Sequence, residues 1–232
     1  MKYILLNAQR GSIDDYDSEN GPKDVVIPSE INGVTIKSID HNAFQKKALT
    51  SVVLPENLTS IGNFSFEGNN LTEVVIPDSV TNIGGSSFAN NDLASVSISK
   101  NATTIGGSAF SSNELEQVSI PGKVVSIGSS AFAGNQLTSV VIQDGIQEIS
   151  LAAFQNNKIK TLILPDSITS IGNFAFQNNQ LESVVLSSNI TSIGNGAFRK
   201  NASSNKALAS IINPSGNSFA WKDILGGTVD AT

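Results

Sequence analysis

The chain has 232 residues, 39% of them apolar and only 15% charged; twenty acids against fourteen bases leave a net charge of −6. That apolar content is enough for a folded core, and the acidic balance argues against a protein that grips a nucleic-acid backbone, which needs clustered cations. With no cysteine and a single histidine, disulfides, thiolate zinc sites, cysteine nucleophiles and paired-histidine metal sites are excluded.

The chain opens MKYILLNAQR. Its apolar stretch, Tyr3 to Leu6, is too short for the ~7–15-residue hydrophobic region of a secretory signal. No stretch approaches the ~18 apolar residues of a transmembrane helix, so no membrane insertion is expected, and the chain reads either as a cytoplasmic protein or as a mature or excised piece of a longer one. Asp15, Asp17 and Glu19 then alternate in DDYDSENG, a spacing that suits Ca²⁺. The glycine and the closing glutamate of such a loop are replaced by Asn20 and Val26, so an acidic cap loop is expected and no metal.

From residue 22 the sequence repeats itself. Leu49, Leu71, Leu93, Leu115, Leu137, Ile159 and Leu181 follow one another at intervals of 22, which sets seven units over residues 49–202. With Leu49 as position 1, positions 4 and 6 are aliphatic in every unit, as in Val52 and Leu54. This alternation is strand spacing. Pro follows at position 7 in four units (Pro55, Pro77, Pro121, Pro165) and ends the strand. Position 13 is always Ile, and position 14 is Gly except at Ser150. Position 18 is always Phe, inside a small polar stretch that is expected to form a short helical or 3-10 turn dropping its ring inward. Position 21 is always Asn: Asn69, Asn91, Asn113, Asn135, Asn157, Asn179 and Asn201. An amide offers donors and an acceptor, so these seven are expected to form a structural ladder that pairs the backbone of the bends.

The flanks diverge as capping units do. Residues 1–48 read as an N-terminal cap and degenerate first repeat, five residues longer, with the insertion turning at Asn32-Gly33. His41 falls in this unit; no GxSxG motif accompanies it, and a solvated surface residue is expected rather than a catalytic one. Residues 203–232 read as a capping repeat and tail: a strand recurs in LASIINP after a five-residue insertion, Phe219 and Trp221 are expected to cover the last layer, and GGTVDAT reads as a linker.

If positions 4 and 6 point inward, positions 3 and 5 point out. Position 5 holds Val53, Val75, Ser97, Ser119, Val141, Ile163 and Val185, beside Glu73, Gln117 and Thr161 at position 3. Val141, Ile163 and Val185 would form one apolar strip with a small polar rim, the composition of an interaction site. Other patterns carry less. The Thr row at position 11 is broken by Val125 and Gln147, which argues against ice binding, and the six N-x-[ST] sequons are those expected of a chain rich in Asn, Ser and Thr. The acids scatter without the repeated pairing that sugar hydrolysis needs.

The frame LxxVxIPxxVxxIGxxAFxxN resembles the BspA-type, or Treponema-type, bacterial leucine-rich repeat, and the resemblance covers residues 22 to about 214. That family often carries Cys where Asn stands here, in units commonly one residue longer. The resemblance implies a leucine-rich-repeat solenoid, a β-rich right-handed arc with a parallel sheet on the concave side. It also implies a bacterial surface or secreted setting with adhesion to a host or cell-surface ligand. The expectation is therefore a non-catalytic, monomeric interaction module at the cell surface or outside the cell. It needs no cofactor, and its partner is a protein or another surface ligand. The alternative is a structural spacer within a longer multidomain protein.

Overall fold

A computed structural model describes residues 4–7, 10–201 and 210–225. The chain forms a parallel β-solenoid of eight stacked coils, counted by the eight phenylalanines Phe44 to Phe198 that share one column. A 22-residue coil cannot bury its own apolar face, but stacking lets each coil close the side of the next. Positions 1, 10 and 18 are fully buried in coil after coil, as at Leu115, Val124 and Phe132. The rings sit 5.0–5.6 Å apart and nearly parallel. That step is close to the ~4.8 Å between strands, so neighbouring coils stay closely stacked on this side.

Each coil carries two strands. The first, at positions 3–5, is exemplified by Glu73–Val75 and Ser95–Ser97, paired in parallel. The second, at positions 12–13, is only two residues long, as in Ser126–Ile127, yet it joins neighbouring coils without a break. The second strands form one ten-stranded sheet together with an N-terminal hairpin, whereas the first strands fall into separate groups of two or three. The continuous sheet therefore belongs to the short second strand. Position 14 keeps Gly beside it because a Cβ on Gly84, Gly106 or Gly128 would come within 2.6 Å of the preceding coil's backbone.

The segment around the phenylalanine differs from expectation. It is neither α nor 3-10 helix; the described residues hold one short helix, Trp221–Leu225. Position 16 is left-handed in every coil, from Asn42 and Phe64 to Phe174 and Gly196, and position 20 is left-handed from Lys46 and Gly68 to Lys200. Two left-handed residues four apart break any helical run. The amides instead donate to the next coil: Phe64 N to Gly85 O at 2.9 Å, Phe66 N to Ser87 O at 2.8 Å and Gly68 N to Ala89 O at 3.0 Å. Inter-coil bonds thus alternate with single-turn bonds inside the coil, such as Glu67 N to Phe64 O at 3.1 Å, while the Phe still turns inward.

Both ends are closed by different devices. At the N-terminus, Ile4–Asn7 and Ser12–Tyr16 form an antiparallel hairpin whose Ser12–Ile13 continues the second-strand sheet. Tyr16, buried and 5.3 Å from Phe44, extends the aromatic column. The five extra residues of the first coil make a small hairpin, Glu30–Ile31 against Val34–Thr35, turning at Asn32 and Gly33 with φ of 52° and 80°, the pair of positive values that an Asn-Gly I′ turn requires. At the C-terminus, Ser210–Ile212 adds a strand to Ser183–Val185. The helix then supplies carbonyls to the last coil: Asp223 O to Gly196 N and Ile224 O to Phe198 N. Ile224 is the buried residue of this cap, while Phe219 and Trp221 pack edge to face, half-buried against the core. The expected insertion before the last strand and the linker-like tail lie outside the described residues.

Candidate interaction surface

The invariant Asn side chains face inward. All seven, Asn69 to Asn201, are buried. Asn135 is typical: its Oδ1 accepts the Leu115 amide at 3.1 Å, and its Nδ2 donates to the carbonyls of Phe110 at 3.0 Å and Phe132 at 3.1 Å. Each Asn so ties two successive phenylalanine turns to the start of its own coil. None is available to a ligand.

The outward face of the first strands gathers most of the exposed large apolar side chains, with Leu5, Phe64, Val125 and Leu151 exposed elsewhere. Position 5 exposes Val53, Val75, Val141 and Ile163 by 56, 67, 53 and 72%, while Val185 is half-buried. Two more members come from the capping coils, which the 22-residue period alone does not reach: Val26 pairs with Val53, and Ile212 with Val185, each 56% exposed. The column thus has two apolar runs separated by Ser97 and Ser119. Glu73, Gln117 and Thr161 flank it, all exposed. No ladder joins Val141 to Ile163, although their coils are adjacent. A depression of about 250 Å³, lined by Gln117, Ser119, Ser139 and Val141 among others, lies beside the serine gap.

A charged ridge runs alongside this column, at positions 22 and 2. Glu114 and Glu116 stand on one side of Gln136 and Thr138, and Lys158 and Lys160 on the other, all exposed. Four of these, with Lys158, line an open polar depression of about 540 Å³. The ion pairs among the described residues are Lys47 with Asp15 and Lys100 with Asp78, so the ridge charges are unpaired there. The ridge escapes a reading by repeat position because no one position holds one sign throughout; it emerges only when coils are stacked.

The remaining candidates are engaged in local structure. The exposed His41 accepts the Asn63 amide on Nδ1 at 2.9 Å, just as Asn63 and Asn173 accept the amide one coil further on. Asp15 pairs with Lys47 at 2.9 Å, and Asp17 accepts the amides of Glu19 and Asn20. Among the described residues no three acids or histidines converge as a metal site. The Thr hydroxyls turn back to the preceding coil, as Thr59 Oγ1 does to Lys37 O at 2.9 Å. No helix among the described residues is long and apolar enough to cross a membrane.

The model of the BspA type leucine rich repeat region matches residues 37–160 and 125–222, together most of the chain. The chain belongs to this family. Among solved structures, this BspA-type chain is similar to a leucine rich cell surface protein from Faecalibacterium prausnitzii A2-165, at 22% identity and a TM-score of 0.64 over 90% of this chain and 74% of that one. A leucine-rich repeat protein from Bacteroides ovatus ATCC 8483 gives the same identity and TM-score over 90% of this chain. The BspA-type chain spans 62% of that second protein's structure. At such identity the likeness is one of fold. No curated protein matches the chain.

Proposed function

We propose that the chain is a non-catalytic interaction module, displayed at a cell surface or secreted, that binds a protein or other surface ligand through the outward face of its first strands. The observation that carries this reading is the position-5 column, where Val75 and Ile163 stand 67 and 72% exposed between polar neighbours. Exposed apolar residues aligned with a polar rim gain free energy when a partner covers them, about 25 cal/mol per Å² removed from water. The surface setting is supported by the family and by the description of the Faecalibacterium prausnitzii structure as a cell surface protein. The non-catalytic reading is supported by the single histidine, whose ring bonds a backbone amide.

Flow cytometry of the fluorescently labelled chain on fixed bacterial and epithelial cells tests the proposal. Ile163→Asp should lower surface retention about tenfold or more, with the circular dichroism spectrum unchanged. Retention equal to wild type would remove the first-strand face from the reading, and the absence of wild-type retention on every cell type would favour the spacer role.

A further inference from the structure

The ridge and the column beside it share one centre. Counting coils from Gln136 and Thr138, Glu114 and Glu116 lie one coil toward the N-terminus, and Lys158 and Lys160 one coil toward the C-terminus. Two coils separate the two signs, one step hydrogen-bonded and the other, between Val141 and Ile163, without a ladder, and no ion pair joins them within the chain. A two-fold axis along the strand direction through this coil reverses the order of coils while keeping each position opposite itself. Glu114 then meets Lys158 of the second copy, Glu116 meets its Lys160, and each contact occurs twice.

The same operation acts on the column. Val141 lies on the axis and meets itself. Ile163, the most exposed apolar residue of the column, falls opposite Ser119, at the depression of about 250 Å³ that Ser119, Val141 and Gln117 line. Val185 falls opposite Ser97, small again, and Ile212 opposite Val75, apolar on apolar. Ile163 and Val185 therefore meet the serine gap, and unlike charges meet beside it. A surface complementary to itself under a two-fold is what an isologous interface requires.

We propose that the partner this face accepts is a second copy of the chain, docked antiparallel about the coil of Gln136, Thr138 and Val141. This rests on the reading of the first-strand face as the binding face and commits it to self-recognition between surface-displayed modules. Two copies joined in this way bury Ile163 and neutralise the ridge, and the association weakens with salt because its charges lie at a solvated rim.

Sedimentation velocity of the whole chain from low to high micromolar concentration tests it. The wild type should pass from monomer to dimer, with less dimer at high salt. Glu114→Lys with Glu116→Lys makes these four charges all basic, and Lys158→Glu with Lys160→Glu makes them all acidic. Each double variant should weaken self-association about tenfold or more, and mixing the two should restore it as a heterodimer. These are exposed positions, so circular dichroism should report the native fold in every case. A wild type that stays monomeric throughout, or a dimer indifferent to both reversals, would overturn the proposal. If the wild type is monomeric while Ile163→Asp still loses cell-surface retention, the face serves another partner and self-recognition alone fails.

Discussion

Position 21 and position 17 show opposite outcomes for a buried polar side chain. Asn135 bonds one buried amide and two buried carbonyls; Asn135→Ala would leave the Leu115 amide unpaired, while Phe110 O and Phe132 O keep the bonds from Asn113 and Asn157. The expected loss is roughly 1–3 kcal/mol, the cost of one orphaned buried amide. Position 17 holds Ala in six coils (Ala43, Ala109, Ala131, Ala153, Ala175 and Ala197) but Ser65 and Ser87 in two, both fully buried with unpaired hydroxyls. Ser87→Ala removes an unmatched donor and keeps the volume, so it should raise stability by about 1 kcal/mol. Denaturant titration of both variants decides this pair; a destabilised Ser87→Ala would mean the hydroxyl has a partner. The Asn was legible in the sequence because a strict polar residue in register with core Phe has few other uses. The Ser sites were not, since Ala and Ser alternate freely on surfaces as well.

The strands and the inward Phe follow from period and residue type, but the turn between them does not. Positions 16 and 20 are left-handed with Phe64, Ser86 and Ala152 among their occupants, residue types that do not announce a positive φ. The conformation is fixed by amides that reach the next coil, a partner 21 residues on in sequence, so no local signal encodes it. The corners of the coil likewise depend on cross-coil bonds. The hydroxyls of Thr50 and Ser51 beside Asp24, the Lys100 side chain and amide beside Asp78, and the amide and hydroxyl of Ser188 beside Asp166 each hold a carboxyl below its usual range. A carboxyl whose folded pKa is depressed contributes stability above its unfolded value of ~3.9 and loses it as pH falls through the lower folded value. Asp14 works in the other sense: burial and the neighbouring Asp40 raise it, so its contribution is full below ~3.9 and fades as pH rises through the raised value. With Asp15 and Asp17 also held low and Asp14 alone shifted the other way, the melting temperature should fall on acidification below about pH 4. Asp166→Asn should flatten that fall, and an unchanged slope would show that the corner bonds are not coupled to folding.

For the molecule as a whole, the repeat register predicts a stack and its caps, and the family match covers the same span. It does not predict how the ends are closed or what the outer surface adds up to. The hairpin, Tyr16 and Ile224 lie outside the period, as do Val26 and Ile212, and the ridge of Glu114, Glu116, Lys158 and Lys160 exists only between coils. The coil thus presents three faces with different chemistry: exposed apolar residues on the first strands, backbone-bonded threonines on the second, and small polar turns on the third. A charge placed singly on each face, as Ile163→Asp, Thr169→Asp and Ser129→Asp, separates them, because all three sites are exposed and a folded stack tolerates each. Cell-surface retention of the three variants, each with native circular dichroism, is the most direct measurement of whether binding belongs to the first-strand face. Loss confined to Ile163→Asp is the expected result; loss confined to Thr169→Asp or Ser129→Asp would contradict it.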